Sequence, residues 1–198
     1  MVGIYLKEEK LNNLMIKDST TQNIQQVISS TMDKVNMDVE IRKDCSGVNM
    51  SYNFIGHYIG FDEIRLIEAK EEMSFPISLE SYIKILTIHE LGHAIDRQNL
   101  MDTIDRTMEI FELKYHHTSQ EIYTNRELLA TIIEEHEMNI GFEITAWENA
   151  EKLNRQYGIS DEITLQAVKD HSLSTYINLY NMDVALFHKL TKTGMHIA

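Results

Sequence analysis

Two histidines and a glutamate have the types and the spacing of a metal site with an adjacent base. His89 and His93 are four residues apart, in the run His-Glu-Leu-Gly-His, and Glu90 follows the first of them. On a helix, residues four apart lie on the same face, so both imidazoles can reach one metal ion. Glu90 lies about 100° around the helix from His89, where it can reach a metal-bound water without binding the ion. The pattern predicts hydrolysis by a metal-activated water, with Glu90 as general base and then acid.

A glycine inside this motif indicates that another element passes close to it. Gly92 lies in a segment that otherwise favours a helix, and a glycine there costs about 1 kcal/mol relative to alanine. The missing side chain is useful where a second backbone approaches the helix. We therefore expect a close contact at Gly92.

A third protein ligand has to come from elsewhere in the chain. Glu143 is favoured because it lies in an apolar helical stripe, where a lone carboxylate costs free energy unless something pairs with it. Ala146 and Ala150 on the same face would let this helix approach Gly92. The alternatives that the sequence leaves open are Glu127, Glu134, Glu135 and His136.

Hydrophobic spacing places these residues on helices. Ser78 is a candidate N-cap for a helix over residues 79–98, which carries the motif. A long helix over residues 119–156, with a possible bend at Gly141, carries Glu143 and ends at Gly158. Further helices are predicted over residues 20–35, after Ser19 or Thr20 as N-cap, and over residues 161–192, after Asp161.

The segment between the first two helices has the character of strands. Short apolar runs separated by glycines over residues 37–69 predict a small sheet of three or four strands. The chain is therefore interpreted as one α+β domain over residues 1–198. A helix and the small mixed sheet occupy residues 1–76, and residues 77–198 are mostly helical.

The motif resembles that of the zincin metallopeptidases. Its extension, His-Glu-Leu-Gly-His-Ala-Ile-Asp, is similar to the version in the lethal-factor and Pro-Pro-endopeptidase group and to that in the ImmA/IrrE group. Metzincins carry a glycine and a histidine where this chain has Asp96 and Asn99, which excludes that subgroup. The resemblance implies a minimal zincin-like domain of gluzincin type, with one Zn²⁺ per chain held by His89, His93 and a later glutamate. The Glu-x-x-Ala-x-x-x-Ala pattern that begins at Glu143 is similar to the third-ligand helix of the ImmA/IrrE group.

The resemblance also implies a zinc metalloendopeptidase that acts on a peptide or protein substrate. Zincins pair the substrate backbone with an edge strand, and residues 62–68, nearest to the motif helix in sequence, are the candidate for that strand. Zincins also supply a tyrosine or histidine that stabilises the oxyanion. The candidates for that side chain are Tyr115, His116, His117, Tyr123, His171, Tyr176 and Tyr180.

Two other functions are compatible with the same motif. One is a catalytically silent, zinc-binding regulatory module, although Glu90 argues against it because a structural metal site needs no base. The other, implied by the similarity to the ImmA/IrrE group, is a mobile-element regulator that cleaves a repressor protein.

Composition and charge restrict the partners. Lys and Arg number 18 against 31 Asp and Glu, which gives a net charge of −13. This charge repels nucleic-acid backbones and anionic membranes, so neither is expected as a partner. The single cysteine excludes an internal disulfide and a cysteine-rich metal site. Since no apolar run of signal-peptide length begins the sequence, a cytoplasmic location is the default expectation, with export by a non-standard route as the alternative.

Overall fold

The structure is a computed structural model that describes residues 21–194. It confirms the predicted α+β class, with a small three-stranded sheet, a long helix and a C-terminal helix. The elements are α1 over residues 21–34, β1 (Glu40–Lys43), β2 (Met50–Asn53), β3 (Tyr58–Phe61), α2 (Glu63–Glu71), α3 (Leu79–Ile95), α4 (Arg97–Asp102), α5 (Ile104–His116), α6 (Ser119–Thr124), α7 (Arg126–Tyr157) and α8 (Glu162–Gly194).

The sheet is mixed, as predicted, and its middle strand is the last in sequence. The strand order is β1-β3-β2, with β1 parallel and β2 antiparallel to β3. Ile59 and Phe61 on β3 are fully buried, as expected for a central strand. β2 is thus an edge strand, and it packs against α3.

Residues 62–68, which the sequence favoured as the edge strand, belong to helix α2. The Asp62 side chain caps this helix by accepting hydrogen bonds from the backbone N–H groups two and three residues further on, at 3.0 and 3.2 Å. Leu66 and Ala69, three residues apart, are buried on one face. The strand prediction was wrong because so short an apolar run fits the periodicity of a strand as well as that of a helix. The Asp62 cap is the feature that favours the helix.

The helix that carries the motif occupies the centre of the fold. It begins after Ser78, whose hydroxyl accepts a hydrogen bond from the Ser81 backbone N–H at 3.0 Å. Ten of the residues between Tyr82 and Gly92 are buried, so α3 is covered on all sides. Such a helix gives a rigid base for the side chains that it carries.

The long helix predicted over residues 119–156 is divided in two. Helix α6 ends at Thr124, and α7 begins after Asn125, whose side chain accepts a hydrogen bond from the Glu127 backbone N–H at 2.9 Å. α7 runs through Gly141 as one continuous helix. Gly158 ends α7 in the left-handed conformation, with φ of 61°, as predicted.

The remaining elements complete the framework. No helix is predicted over residues 99–118, and they form most of α4 and all of α5. Asp161 caps α8 as predicted, accepting a hydrogen bond from the Thr164 backbone N–H at 2.9 Å. The proposed caps Ser19 and Thr20 lie outside the described residues. Within residues 21–194, no helix is both long enough and apolar enough to cross a membrane.

Candidate metal centre

Helices α3 and α7 bring together the three side chains that the sequence favoured as metal ligands. His89 Nε2 lies 3.1 Å from Glu143 Oε2, and His93 Nε2 lies 3.3 Å from Glu143 Oε1. One nitrogen or oxygen atom from each residue lies within 4.8 Å of the others. His89 and Glu143 are buried. The cluster can hold a metal ion.

The distances in this cluster fit a metal site. Zinc ligands at about 2.0–2.1 Å in a tetrahedral arrangement lie roughly 3.3–3.4 Å from one another. The separations of 3.1 and 3.3 Å between Glu143 and the two imidazoles are close to that value. Burial raises the pKa of the Glu143 carboxyl. Hydrogen bonds from His89 and His93 lower it by a larger amount, so that its pKa is well below the usual value. Glu143 is therefore ionised at neutral pH, as a ligand must be.

The close approach predicted at Gly92 is the contact that brings α7 to α3. A Cβ atom added to Gly92 would lie only 2.2 Å from the backbone carbonyl oxygen of Ala146. The Asn149 side chain donates a hydrogen bond to the Gly92 carbonyl at 3.2 Å. Since Ala146 is one turn after Glu143, the glycine sets how closely that carboxylate approaches the histidines.

Replacing Gly92 with Ala should therefore destabilise the protein and weaken metal binding together. The added methyl group meets backbone that cannot rotate away, so α7 must move, at a cost of about 1–3 kcal/mol. Gly141→Ala is the matched control on α7, because nothing lies within 4 Å of its added Cβ. It should stabilise the protein by about 0.5–1 kcal/mol. Urea unfolding of both variants measures the difference, and equal stability of the two would contradict the account.

A stacked tryptophan fixes one of the imidazole rings. The rings of Trp147 and His89 are 4.2 Å apart between centroids and inclined by 22°. Metal-binding histidines usually donate their second ring N–H to a hydrogen-bond partner, but His89 Nδ1 has none among the described residues. Trp147 is fully buried, so packing takes the place of that hydrogen bond in orienting the ring.

Glu90 is a buried carboxylate beside the cluster. Burial raises the pKa of its carboxyl, and the neighbouring His89 and His93 offset this only in part. The backbone N–H of Tyr52 on β2 lowers the pKa of Glu90 by a smaller amount. A carboxyl with a raised pKa at such a position is suited to accept and release a proton near neutral pH.

A cleft of about 560 Å³ opens onto these residues. Its walls come from β2 and the turn before it, from α2, α3 and α8, and from the α4–α5 region. The Asp62 N–H donates to the Asn49 carbonyl, so Asn49 faces β3 and the backbone groups of Met50 and Tyr52 face away from it. The Asn49 side chain accepts a hydrogen bond from the Met50 N–H at 2.7 Å. Both Met50 and Tyr52 line the cleft.

Of the seven tyrosines and histidines considered for the oxyanion, His171 and Tyr176 line the cleft. Burial raises the pKa of the Tyr176 hydroxyl well above its usual value, and the negative charge of the adjacent Glu143 raises it further. Tyr176 therefore stays protonated and is a donor at the centre. Sequence reasoning had no signal to select it, because its position depends on how α8 packs on α7. Tyr115, by contrast, is 78% exposed.

The alternative third ligands lie elsewhere. Glu127 is exposed near the start of α7. The other three have partners outside the centre: Glu134 pairs with Arg106 at 2.6 Å, Glu135 with Lys114 at 3.0 Å, and His136 with Asp183 at 3.0 Å. The structure thus favours Glu143 over all four alternatives.

Comparison with protein-family models, with curated proteins and with solved structures gives no match for this chain.

Proposed function

We propose that this chain is a zinc-dependent peptidase of gluzincin type. Two imidazoles and a carboxylate form a donor set that zinc uses in catalytic sites, and His89, His93 and Glu143 supply it at suitable distances. The observation that carries the proposal is the buried carboxylate of Glu90 beside those residues, at the base of a cleft. A purely structural metal site has no use for such a base.

Glu90 performs both proton transfers in this proposal. When bound, Zn²⁺ would lower the pKa of a water molecule and polarise the substrate carbonyl. Glu90 accepts the proton of the attacking water and then delivers it to the leaving amine. Its raised pKa allows both steps.

Tyr176 is the proposed donor to the oxyanion of the tetrahedral intermediate. It lines the cleft next to Glu143, and its raised pKa keeps its proton available. A positioned donor at a developing oxyanion typically contributes about 10²–10³-fold to the rate.

The substrate in this proposal is a peptide in an extended conformation. Its backbone would lie along edge strand β2 and donate hydrogen bonds to the outward carbonyls of Met50 and Tyr52. Helix α8 also contributes to the cleft wall. Recognition through the backbone accounts for binding, and the cleft walls select side chains.

The test is peptide cleavage that depends on the metal. Zinc-loaded protein incubated with a mixture of peptides should produce new termini, detected by mass spectrometry. Treatment with 1,10-phenanthroline should abolish this cleavage, and added Zn²⁺ should restore it, because the reaction needs the ion. Cleavage that persists through chelation, or zinc-loaded protein that cleaves nothing in the mixture, would contradict the proposal.

A further inference from the structure

Besides the exposed hydrogen bond from Tyr180 to Glu137, three polar contacts recur between α7 and α8 at regular intervals. Lys169 donates a hydrogen bond to Glu151 at 2.6 Å, Tyr176 lies beside Glu143 in the cleft, and His136 and Asp183 are hydrogen-bonded at 3.0 Å. Positions on α8 rise by seven from one contact to the next, while those on α7 fall by seven or eight. The helices therefore run antiparallel, and the contacts recur about every two turns. We refer to these three pairs as the polar ladder.

The hydrophobic core holds only the N-terminal part of α8, as far as the partly buried Leu173. Leu165 and Val168 are buried, and of the α8 residues from 169 to 192 only Asp183 is buried. Ile177, Leu179 and Met182 are 42–68% exposed. Beyond Leu173, where α8 carries Tyr176, the position of the helix depends on its contacts with α7.

The last pair of the ladder is suited to fix the register of α8. The side chains of His136 and Asp183 are only 18% and 13% exposed. A shift of α8 by one turn would leave the buried Asp183 carboxylate without its partner, which is costly. Fixing the register of neighbouring helices is the best-attested role of buried polar pairs.

That register is also the one that brings Tyr176 to the metal centre. Tyr176 precedes Asp183 by seven residues on α8, and Glu143 follows His136 by seven residues on α7. Any alignment that joins His136 to Asp183 on these antiparallel helices therefore places Tyr176 beside Glu143. Displacements of about 1 Å matter in catalytic geometry.

We propose that the His136–Asp183 pair is a positioning contact, which sets the register of α8 and so holds Tyr176 at the metal centre. The kinetic part of this inference rests on the proposed function, in which Tyr176 donates to the oxyanion. Neither His136 nor Asp183 touches the substrate, and both act only through Tyr176.

The first test needs neither metal nor activity. With 3-fluorotyrosine incorporated, the ¹⁹F resonance of Tyr176 is assigned by its loss in Tyr176→Phe. In Asp183→Ala, and to a smaller extent in the isosteric Asp183→Asn, this resonance should move toward the position of free fluorotyrosine. In the control Lys169→Ala, which breaks the ladder where Leu165 and Val168 already anchor the helix, it should stay in place. An unchanged Tyr176 resonance in both folded Asp183 variants would overturn the proposal.

The second test is a kinetic double-mutant cycle. Asp183→Ala should lower kcat about tenfold, with little change in KM or zinc affinity. The same substitution in the Tyr176→Phe background should cause no further loss, since the residue acts only through Tyr176. His136→Gln, which can still donate to Asp183, should keep most of the activity. Losses of kcat that multiply in the double variant would overturn the proposal. A wild-type protein without peptidase activity would refute the proposed function, and the ¹⁹F result would then decide whether the pair sets the register.

Discussion

Glu90→Gln should lower the rate of peptide hydrolysis on the order of 10³-fold while leaving metal binding intact. Gln has nearly the shape of Glu, and its amide can occupy the same buried site beside His89 and His93. It cannot accept a proton, so the attacking water keeps its proton and the leaving amine receives none. Initial rates on a cleaved peptide, compared at equal zinc content, measure the effect.

The control for Glu90→Gln is the same change at an exposed glutamate near the start of α7. Glu127→Gln should keep wild-type activity, because Glu127 is exposed and distant from the histidines. Full activity in Glu90→Gln would show that another group takes the proton. Loss of zinc from that variant would show instead that Glu90 is a ligand.

Glu143→Ala should weaken zinc binding by more than about 100-fold. Loss of a residue that only supports a ligand costs about 10–100-fold in affinity, and loss of a ligand removes both a donor atom and its charge. His89 and His93 would remain as the only protein ligands. Competition with a chromophoric chelator measures the affinity of the purified variant.

The matched control for this experiment is Glu127→Ala on the same helix. Glu127 lies 16 residues earlier on α7, at about 160° around the helix from Glu143, and it is exposed. Its replacement should leave zinc affinity near that of the wild type. The reverse outcome, with metal lost from Glu127→Ala and kept by Glu143→Ala, would contradict the placement of α7 against α3.

The features that could be predicted from the sequence are those that a single helix determines. The spacing of His89 and His93 fixes their common face whatever the rest of the fold does. Glu143 could be favoured because a carboxylate in an apolar stripe needs a partner. The contact between Gly92 and Ala146 was predictable because a glycine and an alanine each mark a face that a neighbouring backbone can approach.

The features that were missed depend on how elements pack. Residues 62–68 were assigned to a strand because their apolar spacing fits both a strand and a helix. Only the Asp62 N-cap distinguishes the helix from the strand. The edge strand that lines the cleft is β2, which precedes these residues in the chain with β3 in between. Tyr176 could not be selected from seven candidates, since the docking of α8 on α7 through contacts such as His136–Asp183 places it at the site. His136 and Asp183 are 47 residues apart in sequence, and no local pattern indicates that they are in contact.

The most direct test of the account is the zinc content of the purified protein. Protein made without a metal-binding tag, supplemented with Zn²⁺ and freed of excess ion, should contain about one zinc per chain by elemental analysis. The double variant His89→Ala/His93→Ala, prepared in parallel, should contain almost none. Less than about a tenth of one zinc per wild-type chain, or equal zinc in the two proteins, would contradict a metal centre formed by His89, His93 and Glu143.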